Sequence, residues 1–135
     1  MIEAIVCLAM NVYHEARGEP LNGQLAVAQV TMNRVESERF PDSVCDVVYQ
    51  GHRDARGNMI RNKCQFSWYC DGRDDRPYNK DEWDASMDVA TAVLTPGEVE
   101  DLVGGAMWYH ADYVDPYWAP TMTKTTKIGV HIFYK

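Results

Sequence analysis

The sequence predicts an α+β fold, mainly helical with a small antiparallel β-sheet. Two observations carry this expectation. Early in the chain, apolar residues recur at spacings of three and four, the period of a helix with one buried face. Late in the chain, short aromatic segments alternate in character and are bounded by turn residues, the pattern of strands. A length of 135 residues, 46% of them hydrophobic, fits a single domain over residues 1–135. A chain of that size buries roughly two-thirds of the surface its unfolded form exposes, enough for a real core.

Ile5, Leu8, Val12 and Glu15 mark a first helix from about residue 2 to 16. Gly18 fits as its C-terminal cap, and Pro20 stops continuation. Asn22 is the expected cap of a second helix, with Leu25, Ala28, Met32 and Val35 as its buried stripe. Phe40-Pro41-Asp42 breaks it, and Asp42 or Ser43 caps a short third helix through Tyr49. Residues 51–63 are polar and rich in Gly, Arg and Asn, and read as a loop. Gln65–Tyr69 reads as an aromatic strand, with Asp71-Gly72 as a hairpin turn. Asn79, with Glu82 three residues on, resembles a capping box that opens a helix through about Leu94. Thr95-Pro96-Gly97 ends it. Gly105–His110 is the next expected strand, residues 112–127 a loop, and Gly129–Tyr134 a closing strand.

Thirteen basic and twenty acidic side chains leave a net charge of −7. No basic stripe runs longer than Arg53–Lys63, so a nucleic-acid partner is not expected. That stretch reads as a solvated loop or as a local anion contact. No apolar run reaches the roughly 18 residues of a membrane-spanning helix, so no stable membrane insertion is expected. Among the cysteines, Cys7 lies in an apolar helical run and reads as a small buried hydrophobe. Two of Cys45, Cys64 and Cys70 are placed to pair, which leaves one over. A disulfide suits a site of action outside the cytoplasm. Met1-Ile2-Glu3-Ala4 has no basic region of the kind that opens a signal peptide, so export would need another route.

Glu15 is the most informative residue. It falls on the apolar stripe of the first helix, where a core position calls for Leu or Val. It also lies in the last turn, where the helix dipole disfavours negative charge. Burial and the dipole both raise a carboxyl pKa, and an acid kept protonated near neutral pH is what a general acid needs. The alternative is a carboxylate held by Arg17 or Arg34, or one that reaches solvent. His14-Glu15 does not begin a zinc-binding H-E-x-x-H, because position 18 is Gly. Ser67 lacks the G-x-S-x-G setting of a serine nucleophile. Cys64 or Cys70 with His110 or His131 would make a cysteine-peptidase pair, a reading opposed by disulfides. His131 alternates with Val130 and Ile132 and is expected on the opposite side, out of the core. Trp68, Tyr69, Trp108, Tyr109, Tyr113, Tyr117 and Trp118 fall near the expected sheet. Each alone reads as packing; together they fit a carbohydrate groove.

Tyr13-His14-Glu15-Ala16-Arg17-Gly18-Glu19-Pro20, followed by Gly23-Gln24 and Ala26-Val27-Ala28, resembles the opening motif of the SleB-type cell-wall hydrolases, the family of the catalytic domain of spore-cortex-lytic enzymes. The resemblance continues in order through Asn33-Arg34-Val35, Phe40-Pro41, Val44–Val48, Gln65-Phe66-Ser67-Trp68, Asp71-Gly72, Gly105-Ala106 and Gly129–Tyr134. It implies a lysozyme-like fold and a lytic transglycosylase that cleaves peptidoglycan glycan strands between N-acetylmuramic acid and N-acetylglucosamine. It assigns the catalytic acid to Glu15.

That chemistry needs one acid, which donates to the glycosidic oxygen and then accepts from the muramoyl C6 hydroxyl to give a 1,6-anhydro product. Hydrolysing glycosidases place a second carboxylate across the bond; Glu19 and Asp71 are the candidates for that role. Gln65, Ser67 and Trp68 are expected to bind substrate opposite the first helix, and Tyr109 and His131 to define the groove. No metal or organic cofactor is expected. The stretches 51–63 and 74–78 match no family pattern. A compact acidic domain without a signal peptide resembles a phage endolysin released through a membrane pore; a catalytic domain cut from a longer bacterial enzyme has the same features. The competing readings are a muramidase with the same acid, an amidase using Cys and His, and a wall-binding module without activity.

Overall fold

The computed structural model describes residues 2–135. Four helices, α1 (Ile2–Ala16), α2 (Leu21–Val35), α3 (Val44–Val48) and α4 (Lys80–Leu94), surround the first core. Two antiparallel sheets flank them. One pairs β1 (Gly51–Arg53) with β2 (Met59–Cys64); the other has the order β3 (Trp108–Ala111), β5 (His131–Tyr134), β4 (Lys124–Ile128). The first core gathers Leu8, Val12, Ala28, Val47, Val48, Phe66 and Ala90. A second joins Ala16 and the α2 residues Ala26, Val27 and Val30 to Val103, Ala106 and Phe133 of the sheet side. The end of α1 therefore lies where the helical core meets the three-stranded sheet. Each large aliphatic side chain fully buried in these cores contributes roughly 1.5–3 kcal/mol.

Helix boundaries follow the sequence closely, with two differences: Gly18, expected to cap α1, does not take a positive φ, and the cap of α2 is another residue. Ser43 accepts from the Asp46 N–H and Asn79 from the Glu82 N–H, as their spacing predicts. Asn22, by contrast, sits inside the first turn of α2, and Pro20 occupies the cap position with φ −61° and ψ 164°. Proline is pre-set for a helix start and has no N–H to leave unpaired, so it takes the role expected of Asn22. Of the expected α2 stripe, Ala28 is completely buried and Leu25, Met32 and Val35 pack against the first core, but a second buried face adjoins it. Ala26, Val27 and Val30 are completely buried, whereas Leu25, Met32 and Val35 are half-buried. This helix carries one face in each core, so its innermost positions are the small residues between them.

The sheet regions depart further. Residues 51–63 form the β1–β2 hairpin instead of a loop. All three β1 residues and the four central β2 residues are exposed, so no apolar alternation marks them. The turn is held by Asp54, whose Oδ1 accepts from Arg56 and Asn58 N–H groups. Ser67–Cys70 is a 3-10 turn, not a strand, and Asp71-Gly72 joins no hairpin. The Cys64–Cys70 disulfide and the bond from Trp68 Nε1 to Asn11 Oδ1 (2.9 Å) fold it back onto α1. The strand β4 takes up the end of the expected 112–127 loop and one residue beyond it, because Lys124-Thr125-Thr126-Lys127 offers no apolar pattern. Gly129 has φ +58° and forms the β4–β5 turn.

The second disulfide joins Cys7 to Cys45 and ties α1 to α3. Cys7 is thus paired rather than a lone buried thiol, and none of the four cysteines is left over. Among the described residues, no helix is long and apolar enough to cross a membrane.

Candidate active site

Glu15 occupies the last turn of α1, directly before Ala16 buries against the second core. It is half-buried. Tyr109, at the centre of β3, donates its hydroxyl to Glu15 Oε1 at 2.5 Å. Burial raises the Glu15 pKa; the Tyr109 hydrogen bond and the positive charge of Arg34 oppose that rise. Burial and the neighbouring Glu15 hold the Tyr109 phenol well above its ordinary range, so it stays a neutral donor. One carboxyl oxygen is therefore fixed by a phenol, and Oε2 takes part in none of the described hydrogen bonds.

Arg34 is the cation behind this pair. Only 3% of its surface is exposed, and Nε donates to the Met107 carbonyl at 2.7 Å. Its guanidinium lies over the rings of Phe40 and Phe66 at 4.8 and 5.3 Å. Burial lowers its pKa to about 10, so it stays charged at neutral pH. Asn33 donates to the Ala106 carbonyl, so the two α2 residues together fix the approach to β3 and hence Tyr109. Arg34 follows Val27 and Val30 at helical spacing, which is the sequence signal that it faces inward. Arg17 turns elsewhere, donating to the Tyr13 hydroxyl at 2.6 Å and standing 3.8 Å from Glu82. The electrostatic partner of Glu15 is thus Arg34, acting at a distance, and not Arg17.

Glu19 is committed to structure. Its Oε1 accepts from the Val130 N–H at 2.8 Å and lies 3.9 Å from His131 Nδ1. A Cβ at residue 129 would collide with Glu19 Oε1, so this clamp requires glycine there. Asp71 Oδ1 accepts from the Arg73 N–H. It lines a cavity of about 300 Å³ with His14, Arg17, Trp68 and Arg73 that Glu15 does not line. Neither carboxylate has the environment of Glu15.

His131 does lie opposite Val130 and Ile132, but that side is the core: the residue is 7% exposed. Its ring stands edge-on to Tyr109, with centroids 5.1 Å apart. Burial lowers its pKa, while Glu19 and Asp112 pull it up. Trp68 is buried as well, stacked on His14 with centroids 4.5 Å apart. Ser67 and Gln65 are exposed, and Gln65 lines a different cavity, described below. The expected aromatic groove divides: Tyr113 and Tyr117 are exposed, whereas Trp118 packs on Tyr134 and His110. Both cysteines of the proposed Cys–His pair are in the Cys64–Cys70 disulfide, so neither is a nucleophile.

Residues 18–134 match the model of the cell wall hydrolase family, and the chain belongs to that family. It is 35% identical to the spore cortex-lytic enzyme of Oceanobacillus iheyensis over 97% of this chain and 41% of that protein. It is 33% identical to that of Bacillus cereus over 97% of this chain and 44% of that one. The chain thus spans about two-fifths of the length of these curated relatives. Among solved structures it resembles the catalytic domain of the germination-specific lytic transglycosylase SleB from Bacillus anthracis, with TM-score 0.72 and 32% identity, covering 100% of this chain and 96% of that one. The catalytic domain of Bacillus cereus SleB gives TM-score 0.69, with 100% and 91% covered. The expected lysozyme-like α+β architecture holds.

Proposed function

We propose that this chain cleaves peptidoglycan glycan strands as a lytic transglycosylase, with Glu15 as its one acid and base. The observation that carries this reading is the Glu15 carboxyl itself. It is half-buried, held at one oxygen by Tyr109, and faced by a buried cation, while the nearest motif carboxylate, Glu19, is occupied by Val130.

The reaction follows from that environment. Burial favours the protonated form of Glu15, which donates its proton from Oε2 to the oxygen linking N-acetylmuramic acid to N-acetylglucosamine. The C1–O bond breaks, and the electron pair leaves with the departing sugar. The carboxylate left behind is stabilised by Tyr109 and Arg34. It then takes the proton of the muramoyl C6 hydroxyl as that oxygen closes onto C1, giving a 1,6-anhydro ring and restoring protonated Glu15. A single group must serve as acid and then base, so its two forms must lie close in free energy. Burial on one side and the phenol and guanidinium on the other supply opposing effects of that kind.

His131 and Tyr109 act in this reading as supports of Glu15 more than as a sugar-lined groove. Gln65 and Ser67 remain exposed candidates for substrate contact, and Trp68 a buried wall. Two disulfides suit action in the wall, outside the cytoplasm. Mass spectrometry of digested cell walls tests the reaction type. The proposal expects 1,6-anhydro-muramoyl ends; reducing muramic acid ends would instead assign water as the acceptor and a muramidase.

A further inference from the structure

The β1–β2 hairpin and its neighbours enclose an open cavity of about 600 Å³ that the Glu15 chemistry does not use. Gln50, His52, Asn62, Lys63, Gln65 and Tyr117 line it. Its charge runs against that of the chain. Segment 51–64 carries Arg53, Arg56, Arg61 and Lys63 against one acid, Asp54, in a protein of net charge −7. Asp54 is engaged by the turn, Arg53 donates to the Gly57 carbonyl, and Arg61 packs across Gly72. Lys63 takes part in none of the described ion pairs and faces the cavity.

Gln50 lines the cavity, and its side-chain Oε1 is enclosed by protein without a hydrogen-bond partner. Its backbone is fixed, since the Gln50 carbonyl accepts from the Gln65 N–H at 2.9 Å. An enclosed acceptor without a partner costs free energy, which turning the Gln50 amide toward a ligand in the cavity would relieve. Asn62 has φ +63°, and no other non-glycine residue described has positive φ. The break in strand alternation there brings Asn62 and Lys63 onto one cavity instead of opposite faces. The Cys64–Cys70 disulfide holds the base of the hairpin in place.

One free ammonium, the His52 imidazole, three side-chain amides and an aromatic ring exposed at 91% (Tyr117) define the ligand class. No carboxylate lines the cavity to hold a metal, and a single free cation does not hold a nucleic-acid backbone. A short peptide with free carboxylates fits: its amides match Gln50, Asn62 and Gln65, and its charge matches Lys63. We propose that this cavity is a subsite for the carboxylate-bearing peptide attached to the muramoyl units of the glycan strand. The assignment rests on the glycan-strand reading above.

The test needs no cleavage, so it can fail while the role of Glu15 stands, and the reverse. The 15N-labelled chain is titrated with N-acetylmuramoyl-L-alanyl-D-glutamate, with the diamide of that compound, and with inorganic phosphate. The side-chain amide signals of Gln50, Asn62 and Gln65 should shift with the dicarboxylate. Lys63→Gln, an exposed change, should weaken its binding at least fivefold and alter diamide binding less than twofold. In activity assays, Lys63→Gln should raise KM on peptide-bearing strands with kcat unchanged, and leave both constants unchanged on peptide-stripped strands. Unmoved amide signals would overturn the proposal. So would equal binding by wild type and Lys63→Gln, or phosphate displacing the dicarboxylate at equal concentration.

Discussion

Tyr109 on β3 donates its hydroxyl to Glu15 Oε1 across the junction of α1 and the three-stranded sheet, at 2.5 Å. The two residues are 94 positions apart, and Asn33 and Arg34 of α2 hold the Ala106 and Met107 carbonyls that lead into β3. The bond favours the charged form of Glu15 against the burial that favours the neutral one.

Tyr109→Phe removes that bond and keeps the ring. The Glu15 pKa should rise further, because a hydrogen bond to the carboxylate is lost while burial remains. The alkaline limb of the kcat/KM profile should move to higher pH. Loss of orientation should lower kcat roughly tenfold to a hundredfold. A pH–rate series on soluble glycan strands measures both.

Arg34 favours the Glu15 carboxylate, so Arg34→Met should shift the same limb to higher pH, and Arg34→Lys should restore it toward the wild-type position. Arg34→Met also strands the Met107 carbonyl that Nε now satisfies, at a cost of about 1–3 kcal/mol in urea unfolding. An unmoved limb in a folded Arg34→Met protein would show that the guanidinium has no part in tuning Glu15.

The pH dependence of stability has opposite signs at two groups. The folded pKa of Glu15 is raised, so its contribution is present below the unfolded value and is lost as pH rises through the folded pKa. Glu15→Gln should therefore stabilise the protein at pH 7, and by less at pH 4. The folded pKa of His131 is lowered, so the unfolded chain takes up the proton first. Stability from this residue should hold above the unfolded value and fall as pH drops through the folded pKa. Thermal melts of wild type, Glu15→Gln and His131→Gln between pH 4 and 8 separate the two.

The disulfides should differ in their effect. Cys7–Cys45 closes a separation of 38 residues and Cys64–Cys70 one of 6. On a chain-entropy basis the serine pairs should lose about 4 and about 2 kcal/mol respectively. Denaturant titration checks the order; equal losses would contradict it.

Helices were legible because each pays its way in pattern: a stripe, a cap or a breaker. Ser43 and Asn79 act as their positions predict. Glu15 was legible for the same reason, as an acid breaking an apolar stripe. The hairpin at 51–64 and strand β4 were not, since both present polar residues on exposed faces and leave no period to read. Trp68 and His131, expected at the substrate, are both buried, an enclosure that aromatic character alone does not reveal. The Glu19 clamp on Val130 was invisible because it joins residues 111 positions apart.

The most direct measurement is the turnover of Glu15→Gln on purified cell walls, beside wild type and with folding verified by circular dichroism. The change is nearly isosteric and removes only the ability to give and take a proton. A folded variant should release no soluble glycan fragments above background; release near the wild-type rate would remove Glu15 from the reaction.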